Sequence, residues 1–291
     1  MNSEKTLEEL QSAFKTQDGG SNLPNNYYPF WKMDYGHSAT IRLLPDLNPD
    51  NPMGFLVEKR MHNLGIAGER KSVPCLTMYE EDCPICKVSS SYYKQKNEDL
   101  GKKYWRKKQY IAQALILEDP LPLMEGEESR LGTVGFFGFG WSIFSIFKDA
   151  IQSGEFDTIP YAFTGGTNFI IKKQKKIGPG GKEYPDYTLS KFARKETDIS
   201  AEVISLIEDQ LVDLSTLLPA NPGLAKVEGM LEAEMSGGSV PTDGETVTSV
   251  AATASEAARA IETPTTKSAV ADAEVDDVLE AIRARKASRS A

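Results

Sequence analysis

The sequence predicts a mainly β protein in which a small barrel carries helical and metal-binding insertions. Short apolar or alternating segments, which are typical of strands, recur between Gly and Pro residues, and few segments are long enough for helices. A hydrophobic fraction of 40% over 291 residues is compatible with one sizeable core plus appendages. All three cysteines fall within one short window among the strand candidates, which indicates an inserted metal-binding loop.

The first predicted element is an amphipathic helix over residues 3–16. Leu7, Leu10 and Phe14 fall on one face at helical spacing, and a Gly-Gly-Ser linker follows the helix. We therefore assign residues 1–22 to an N-terminal arm. Such a helix can pack on its own domain or dock on a neighbouring molecule, and the pattern leaves both open.

The central part of the chain, residues 23–220, contains the predicted core. Alternating apolar residues predict its strands, and apolar residues spaced by three and four predict its helices. The predicted strands are residues 38–44, 54–62, 110–117, 132–139 and 168–173, with 187–192 expected to pair with the last of them. The predicted helices are residues 87–97, 141–151 and 199–218.

The C-terminal residues 221–291 are predicted to form a disordered acidic tail. The whole chain has a net charge of −9, but residues 197–291 alone hold 17 acidic and 7 basic residues, a net charge of −10. From about residue 236 onwards Ala, Ser, Thr, Gly and Glu dominate and aromatic residues vanish, which is typical of disorder. A short acidic amphipathic motif at 275–282 either folds on a partner or remains solvated.

His62, Cys75, Cys83 and Cys86 form the clearest candidate site of the sequence. Twelve residues separate the histidine from the first cysteine, seven separate the next pair, and two separate the last pair. A Cys-x-x-Cys turn lets both sulfur atoms face one metal ion, and a set of three cysteines and one histidine suits tetrahedral zinc. Because four ligands close the coordination shell, we expect one structural Zn²⁺ ion within a zinc subdomain of about residues 60–110.

Other interpretations of these residues remain open. Cys83 and Cys86 could be a redox pair, although no βαβ pattern surrounds them, and Cys75 could be a buried apolar residue. An odd number of cysteines disfavours a disulfide framework. Free cysteines and an N-terminal segment without a secretory signal favour a reducing cytoplasm. No apolar run reaches the roughly 18 residues of a membrane helix, so we expect no membrane partner.

Two stretches interleave basic and aromatic residues in the pattern that single-stranded nucleic acid requires. Cations track the phosphates, while exposed rings stack on bases that a duplex would hide. The alternative is that the rings belong to the core and the lysines to a solvated face. The candidate residues are Tyr92, Tyr93, Lys103, Tyr104, Trp105, Arg106, Lys107, Lys108 and Tyr110 in the first stretch, and Lys173, Lys175, Tyr184 and Tyr187 in the second.

Enzyme motifs are sparse in the sequence. There is no phosphate-binding loop of the Gly-Lys-Ser/Thr kind, and the glycines at 135–140 are wrongly placed for a dinucleotide fingerprint. No Ser/His/Asp arrangement can be proposed, because His37 is the only histidine outside the metal set. We therefore expect a protein that is not an enzyme.

The order of these features resembles the single-stranded DNA-binding (helix-destabilising) protein of T-even-type bacteriophages. Coverage is roughly residues 25–195, and the layout of arm and acidic tail extends it to the full length. The matching pieces are the set from His62 to Cys86, the run Arg106–Tyr110 leading to Leu115–Pro120, the segment Gly166–Lys172, and the residues Tyr184–Tyr187 with Ser190–Phe192.

The resemblance implies an OB-fold core, a zinc-bearing subdomain and a DNA-binding cleft between them. It also implies that the arm mediates self-association along DNA, here through Lys5, and that Asp276 and Asp277 in the tail recruit phage replication and recombination proteins. The implied location is the cytoplasm of the infected bacterial host. By matching position, the cleft residues would be Tyr104, Arg106, Lys107, Lys108, Tyr110, Phe137, Tyr184 and Tyr187.

The sequence patterns and the resemblance together predict a sequence-nonspecific single-stranded DNA-binding protein, and the resemblance implies that it coats and protects DNA in phage replication, recombination and repair. Affinity should fall steeply with salt, because phosphate neutralisation releases counterions. One alternative is a zinc-ribbon adaptor that binds proteins and no nucleic acid. Another is a metal-dependent enzyme that acts on nucleic acid.

Overall fold

The structure is a computed structural model that describes residues 26–123 and 129–237. The predicted N-terminal helix and the acidic motif at 275–282 lie outside the described residues. Lys5, Asp276 and Asp277, the expected partner-binding residues, also lie outside them. The predictions for the arm and the tail therefore stay predictions.

The described residues form mainly antiparallel sheet with some helices. The strands are β1 Ser38–Leu43, β2 Leu56–Ile66, β3 Glu69–Pro74, β4 Lys107–Glu118, β5 Val134–Phe139, β6 Gly166–Lys172, β7 Gln174–Ile177, β8 Glu183–Asp186 and β9 Lys191–Thr197. The α-helices are α1 Pro84–Lys94, α2 Glu98–Tyr104, α3 Trp141–Gln152, α4 Ala201–Ile207 and α5 Leu224–Ser236. Among these helices, none combines the length and apolar character that a membrane span requires.

The chain divides into two compact units. Among the described residues, the first unit contains residues 26–57 together with those of Tyr110–Ser215. Within it β5 pairs with β4, β4 with β1, β1 with β6 and β6 with β9, all antiparallel. Because β5 and β9 do not pair with each other, the described residues form an open sheet and no closed barrel is seen.

The core of the first unit forms where the apolar faces of this sheet meet α3. Ile41 and Leu43 of β1 are fully buried, as the alternating pattern predicts. Helix α3 contributes Ile143 and Phe147, and the Phe147 ring packs edge-on against Phe169 of β6 at 4.6 Å between centroids. The helix at 141–151 and the strands at 38–44, 110–117 and 168–173 are thus confirmed to within a few residues.

Arg42 is a buried charge on β1 that ties three segments together. Its Nε donates to Asn168 Oδ1 at 2.8 Å, its Nη1 to the Ala162 carbonyl at 3.2 Å, and its Nη2 to the Thr197 carbonyl at 2.7 Å. A buried cation is tolerated only where its donors are satisfied in this way. Arg42 therefore holds together the end of β9, strand β6 and the loop that precedes β6.

The long helix predicted at 199–218 is wrong. The structure has the short helix α4 followed by two 3₁₀ turns, Glu208–Gln210 and Leu214–Leu217. Distant side chains take the backbone N–H groups that a continuous helix would use internally: Gln113 accepts from Val212 at 3.1 Å, and Asp46 accepts from Leu214 at 2.9 Å. These partners lie far away in sequence, so the local apolar spacing could not reveal them.

The strand predicted at 187–192 is displaced along the chain. β9 begins at Lys191 and pairs with β6 in a register that places Phe192 opposite Phe169. The residues before it instead form a small hairpin of β7 and β8, which pair with each other alone. The Gly-Pro-Gly-Gly segment at 178–181 makes the turn of that hairpin, with Gly180 and Gly181 at positive φ.

Of the residues that the structure describes, the second unit contains Glu58–Gln109 together with residues 216–237. Most of β2 lies here and pairs with β3 through a two-residue turn at Ala67 and Gly68, whose φ angles are 51° and 79°. Both turn residues at positive φ are typical of a type I′ hairpin. Helices α1, α2 and α5 complete the unit. Helix α5 lies inside the segment assigned to the tail, so the folded chain continues beyond residue 220.

Candidate metal centre

Four side chains of the second unit converge on one point. Strand β2 delivers His62, and Cys75 directly follows the end of β3. Cys83 is the residue before helix α1, and Cys86 lies in the first turn of that helix, which starts with Pro84. Proline suits the first helical position because its missing N–H has no partner there. Because the helix starts between the two cysteines, the Cys-x-x-Cys spacing places both sulfur atoms on the same side of the helix N-terminus.

The ligand atoms have the spacing of a tetrahedral site. All four lie within 4.8 Å of one another. The Cys75 and Cys86 sulfur atoms are 3.5 Å apart, and His62 Nε2 is 3.5 Å from the sulfur atoms of both Cys83 and Cys86. Zinc with Zn–S bonds of about 2.3 Å and Zn–N bonds of about 2.0–2.1 Å requires ligand atoms about 3.5–3.8 Å apart. The residues present therefore fit a four-coordinate metal ion.

Surrounding groups orient the ligands. His62 Nδ1 lies 2.8 Å from the carbonyl oxygen of Tyr104. A carbonyl can only accept, so Nδ1 carries the hydrogen and Nε2 is left with its lone pair toward the metal position. Thr77 Oγ1 lies 3.1 Å from the Cys75 sulfur, and Arg106 Nη1 donates to the Cys86 sulfur at 3.4 Å. Three thiolates around a divalent ion leave one negative charge, which the guanidinium neutralises.

Protons compete with a metal ion for the same four atoms. Burial lowers the pKa of His62, but hydrogen bonds with Cys75 and Cys83 outweigh it and raise this pKa to about 9. Hydrogen bonds from Cys83 and Cys86 lower the pKa of the Cys75 thiol. A ligand must be deprotonated at the coordinating atom before it binds zinc, so metal affinity falls as the solution is acidified.

The metal centre is part of the hydrophobic core of the second unit. Cys75 and Cys83 are buried together with Leu76 and Ile85, which follow them in the chain. Helix α5 adds buried apolar side chains to the same core. They are Val227, Leu231 and Ala233. A metal ion bound by these residues would therefore influence the packing of the whole unit.

An exposed aromatic pair lies on the surface of the same unit. Tyr93 and Trp105 are each 37% exposed, and their rings meet edge to face at 5.8 Å between centroids. The guanidinium carbon of Arg106 lies 5.0 Å from the centre of the Trp105 ring, the geometry of a cation–π contact. Gly101 makes this arrangement possible, because a Cβ there would lie only 2.9 Å from the Tyr93 ring.

The lysines of the first stretch differ in their surroundings. Lys107 is exposed, and its side chain has no hydrogen bond or ion pair with any described residue. Lys108 forms an ion pair with Glu58 at 3.1 Å, and Lys103 forms one with Glu234 at 2.6 Å. Lys103 and Lys108 are thus partly neutralised by the protein itself.

Several predicted stacking residues belong to the core instead. Tyr104 is 4% exposed and stacks on the half-buried Tyr92, while Tyr110 and Phe137 are fully buried. The Tyr110 ring stacks at 3.9 Å on Phe144 of α3. Rings enclosed in this way offer no free face to a base in this structure. The alternative interpretation, that aromatic residues of these stretches form the core, is correct for Tyr104 and Tyr110, and Phe137, which the resemblance had placed in the cleft, is buried as well.

In the second basic and aromatic stretch, too, some candidate residues are held by the protein and others are exposed. Lys173 Nζ donates to the carbonyl oxygens of Trp31 and Met33 at 2.7 and 2.6 Å, so it ties the chain rather than facing solvent. The Tyr187 ring is half-buried against Phe30, and burial raises its pKa to about 12. Lys175 and Tyr184 are exposed on the hairpin of β7 and β8, where Lys175 pairs with Glu183.

Glu234 and Arg70 are candidate functional residues that the sequence patterns did not single out. Glu234 lies on α5, inside the segment assigned to the tail, and contacts residues more than 100 positions away. Arg70 lies in the excursion between His62 and Cys75, whose length had indicated only a hairpin. No protein-family model matches the chain, and no curated protein matches it either.

Proposed function

We propose that the chain is a sequence-nonspecific single-stranded DNA-binding protein that holds one structural zinc ion and performs no chemistry on its ligand. The observation that carries the proposal is the exposed pair of Tyr93 and Trp105 with Arg106 against it. Exposed lysines surround this pair in the chain. They are Lys94, Lys96, Lys102, Lys103, Lys107 and Lys108.

The energetics favour a single strand over other anionic ligands. Stacking of a base on an aromatic ring contributes about 1–3 kcal/mol and tolerates any base. A large indole ring that stays one-third exposed beside a guanidinium is poorly explained as core packing. Rings can stack only on bases that are not already stacked in a duplex. The combination of open rings and mobile cations is therefore best suited to a flexible single strand.

The first unit offers a second, smaller basic surface. On the β7–β8 hairpin Tyr184 is 40% exposed, and Lys175, Lys176 and Lys182 are exposed near it. This surface has the same composition as the first, namely one open ring among lysines. We propose that it also contacts the strand, with Lys175 and Tyr184 as its main residues. Tyr104, Tyr110 and Phe137 are not part of the proposed surfaces.

The proposed role of zinc is structural. Four protein ligands fill a tetrahedral shell and leave no position for a reacting water. The ion would supply folding energy to the second unit, whose core contains two of the ligands. Its identity as zinc follows from the donor set, since three thiolates and an imidazole suit that ion better than calcium or magnesium.

The wider assignment is also a proposal. The strands β5, β4, β1, β6 and β9 of the first unit belong to an open antiparallel sheet, which is compatible with the partly open barrel of an OB-fold. We propose membership of the single-stranded DNA-binding proteins of T-even-type phages, with roles in replication, recombination and repair in the cytoplasm of the infected host. Self-association through Lys5 and partner binding through Asp276 and Asp277 belong to this proposal.

The test uses a variant in which Trp105 is the only tryptophan, made by Trp31→Phe and Trp141→Phe. We expect its fluorescence to be quenched on titration with oligo(dT), with an affinity that falls steeply between two salt concentrations. A variant that keeps only Trp141 is the control, because its fluorescence reports changes that do not come from stacking on Trp105. Absence of binding at low salt would refute the proposal and favour the zinc-ribbon adaptor, whereas cleavage of the oligonucleotide would favour an enzyme.

A further inference from the structure

A basic groove lies on the second unit beside the β2–β3 hairpin. We give this name to a cavity of about 430 Å³ that is lined by residues 63–65 and 68–70 of the hairpin region and by three lysines. Its cationic residues are Arg70, Lys102, Lys103 and Lys107, and Glu69 is the only acidic residue of the lining. Glu69 is itself paired with Lys71. The groove therefore carries a clear excess of positive charge.

The four cations differ in how far they are already neutralised. The side chains of Arg70 and Lys107 are exposed and have no hydrogen bond or ion pair with any described residue. Lys102 pairs with Glu98 one helical turn away at 2.9 Å, but both groups are exposed. Such a surface pair contributes little and exchanges readily for another anion. Three cations of the groove are thus available to a ligand.

Lys103 is held by an internal anion. The Glu234 side chain is only 2% exposed, and its Oε1 lies 2.6 Å from Lys103 Nζ. The same carboxylate accepts from the backbone N–H of Gly65 and, at 3.5 Å, from the hydroxyl of Tyr104. An ammonium, an amide and a hydroxyl around one carboxylate are donors that also suit a phosphate oxygen. The protein thus places its own anion against Lys103, one of the cations of the groove lining.

The lining indicates which ligand chemistry the groove can recognise. It contains no aromatic side chain, so no base can stack inside it. Arg70 offers planar donors that match phosphate oxygens, and the lysines offer mobile point charges. The exposed ring of Trp105 lies in the chain between two lysines of the lining, Lys103 and Lys107. Phosphates in the groove would therefore accompany bases that stack outside it.

We propose that the basic groove is a phosphate-binding site, in which Arg70, Lys102 and Lys107 bind the backbone of the strand. Glu234 limits the affinity of this site by neutralising Lys103. The identity of the ligand as a nucleic-acid strand rests on the proposed function, whereas phosphate binding itself does not. In this proposal, Tyr93 and Trp105 form the surface on which bases stack, and the basic groove binds the phosphates of the same strand.

The test compares single charge changes in the full-length chain. Each phosphate contact to a single strand contributes about 0.7 to the slope of log affinity against log salt. Arg70→Gln and Lys107→Gln should each reduce that slope by about 0.7, which weakens oligo(dT) binding about fivefold at 0.1 M salt. Glu234→Gln frees Lys103 and should steepen the slope by a similar amount. Lys87→Gln, which removes an exposed lysine paired with Asp82 outside the groove, is the matched control.

The outcomes separate this inference from the proposed function. If the wild-type chain binds oligo(dT) but Arg70→Gln and Lys107→Gln behave like Lys87→Gln, the groove is not the phosphate path and the proposed function stands. A titration with tripolyphosphate, which has phosphates and no bases, tests the groove alone. Tripolyphosphate binding that these two substitutions weaken supports the site even if oligo(dT) does not bind. A slope that is unchanged or flatter in Glu234→Gln refutes the role given to Glu234.

Discussion

Removal of the proposed zinc ion should unfold the second unit and leave the first unit folded. The perturbation is chelation of the full-length chain, followed by return of zinc. His62, Cys75, Cys83 and Cys86 bring the middle of β2, the end of β3 and the start of helix α1 to one point. Without an ion, these polar groups would remain in a core that otherwise consists of apolar side chains. Burial without a ligand is unfavourable for thiolates and for an imidazolium alike.

The expected magnitude follows from the size of the site. A structural zinc ion contributes about 10–16 kcal/mol of apparent binding free energy. A whole domain is stable by about 5–15 kcal/mol. The second unit is small and its core includes Cys75 and Cys83 themselves, so the metal term matches or exceeds its entire stability. We therefore expect the metal-free unit to be unfolded at 25 °C rather than merely less stable.

Tryptophan fluorescence distinguishes the two units, because each has its own reporters. Trp105 is the only tryptophan of the second unit, while Trp31 and Trp141 belong to the first. Chelation should shift the Trp105 emission to that of a solvated indole and leave the other two signals unchanged, and zinc should restore the original spectrum. Cys83→Ser should give the chelated spectrum even with zinc present. A metal-free chain whose Trp105 signal and melting curve match those of the zinc form would refute the reasoning.

Two further predictions concern stability. A Cβ on Gly166 would lie 2.1 Å from the carbonyl oxygen of Ala162, so Gly166→Ala should lower the free energy of unfolding by about 1–3 kcal/mol or more in urea titrations. Burial disfavours ionisation of Glu58, but hydrogen bonds from Arg60 and Lys108 hold its pKa below the ordinary value. The resulting stabilisation is present above the ordinary carboxyl pKa of about 4.3 and is lost as pH falls through the lower, folded-state pKa. Glu58→Gln should therefore reduce the fall in the free energy of unfolding at acidic pH. If the dependence on pH is the same in both proteins, ionised Glu58 is not the source of this stabilisation.

Gly140 supplies the control for the glycine substitution. A Cβ at Gly140 meets no atom within 4 Å, and its φ of −98° suits any residue. Gly140→Ala should therefore change the free energy of unfolding by less than about 0.5 kcal/mol. Equal losses in both variants would show that steric conflict at Gly166 is not the cause.

The sequence predicts which four side chains come together at the candidate metal centre, because their signal is local and chemically specific. A Cys-x-x-Cys pair at a helix start brings two sulfur atoms together whatever the rest of the chain does. The groups that orient these ligands could not be predicted. The carbonyl that accepts from His62 belongs to Tyr104, which is 42 positions away, and any residue type could supply a carbonyl. Arg106 is 20 positions from Cys86 and looked like one more cation of a basic run.

The basic and aromatic pattern predicts composition but not which way a side chain faces. Tyr104 and Trp105 are neighbours in the sequence, yet one is 4% exposed and the other 37%. The reason is that Trp105 ends helix α2 with extended backbone, so its ring leaves the face that buries Tyr104. Tyr110 and Phe137 lie on paired strands, and the sheet turns both toward the core. Exposure of a ring is set by pairing and packing that the local pattern does not contain.

The metal centre and the exposed rings meet at Arg106. One nitrogen of its guanidinium donates to the Cys86 sulfur, and the guanidinium lies against the face of Trp105. A planar, delocalised cation can neutralise a thiolate and lie flat on an indole at the same time, whereas a lysine ammonium is a compact point charge without a planar face. A change of charge at the metal ligands therefore alters the partner of Trp105 directly. If the site holds the proposed zinc ion and bases stack on Trp105, the ion would do more than hold the unit together, because the orientation of its nearest cation would set the geometry of the surface on which those bases lie.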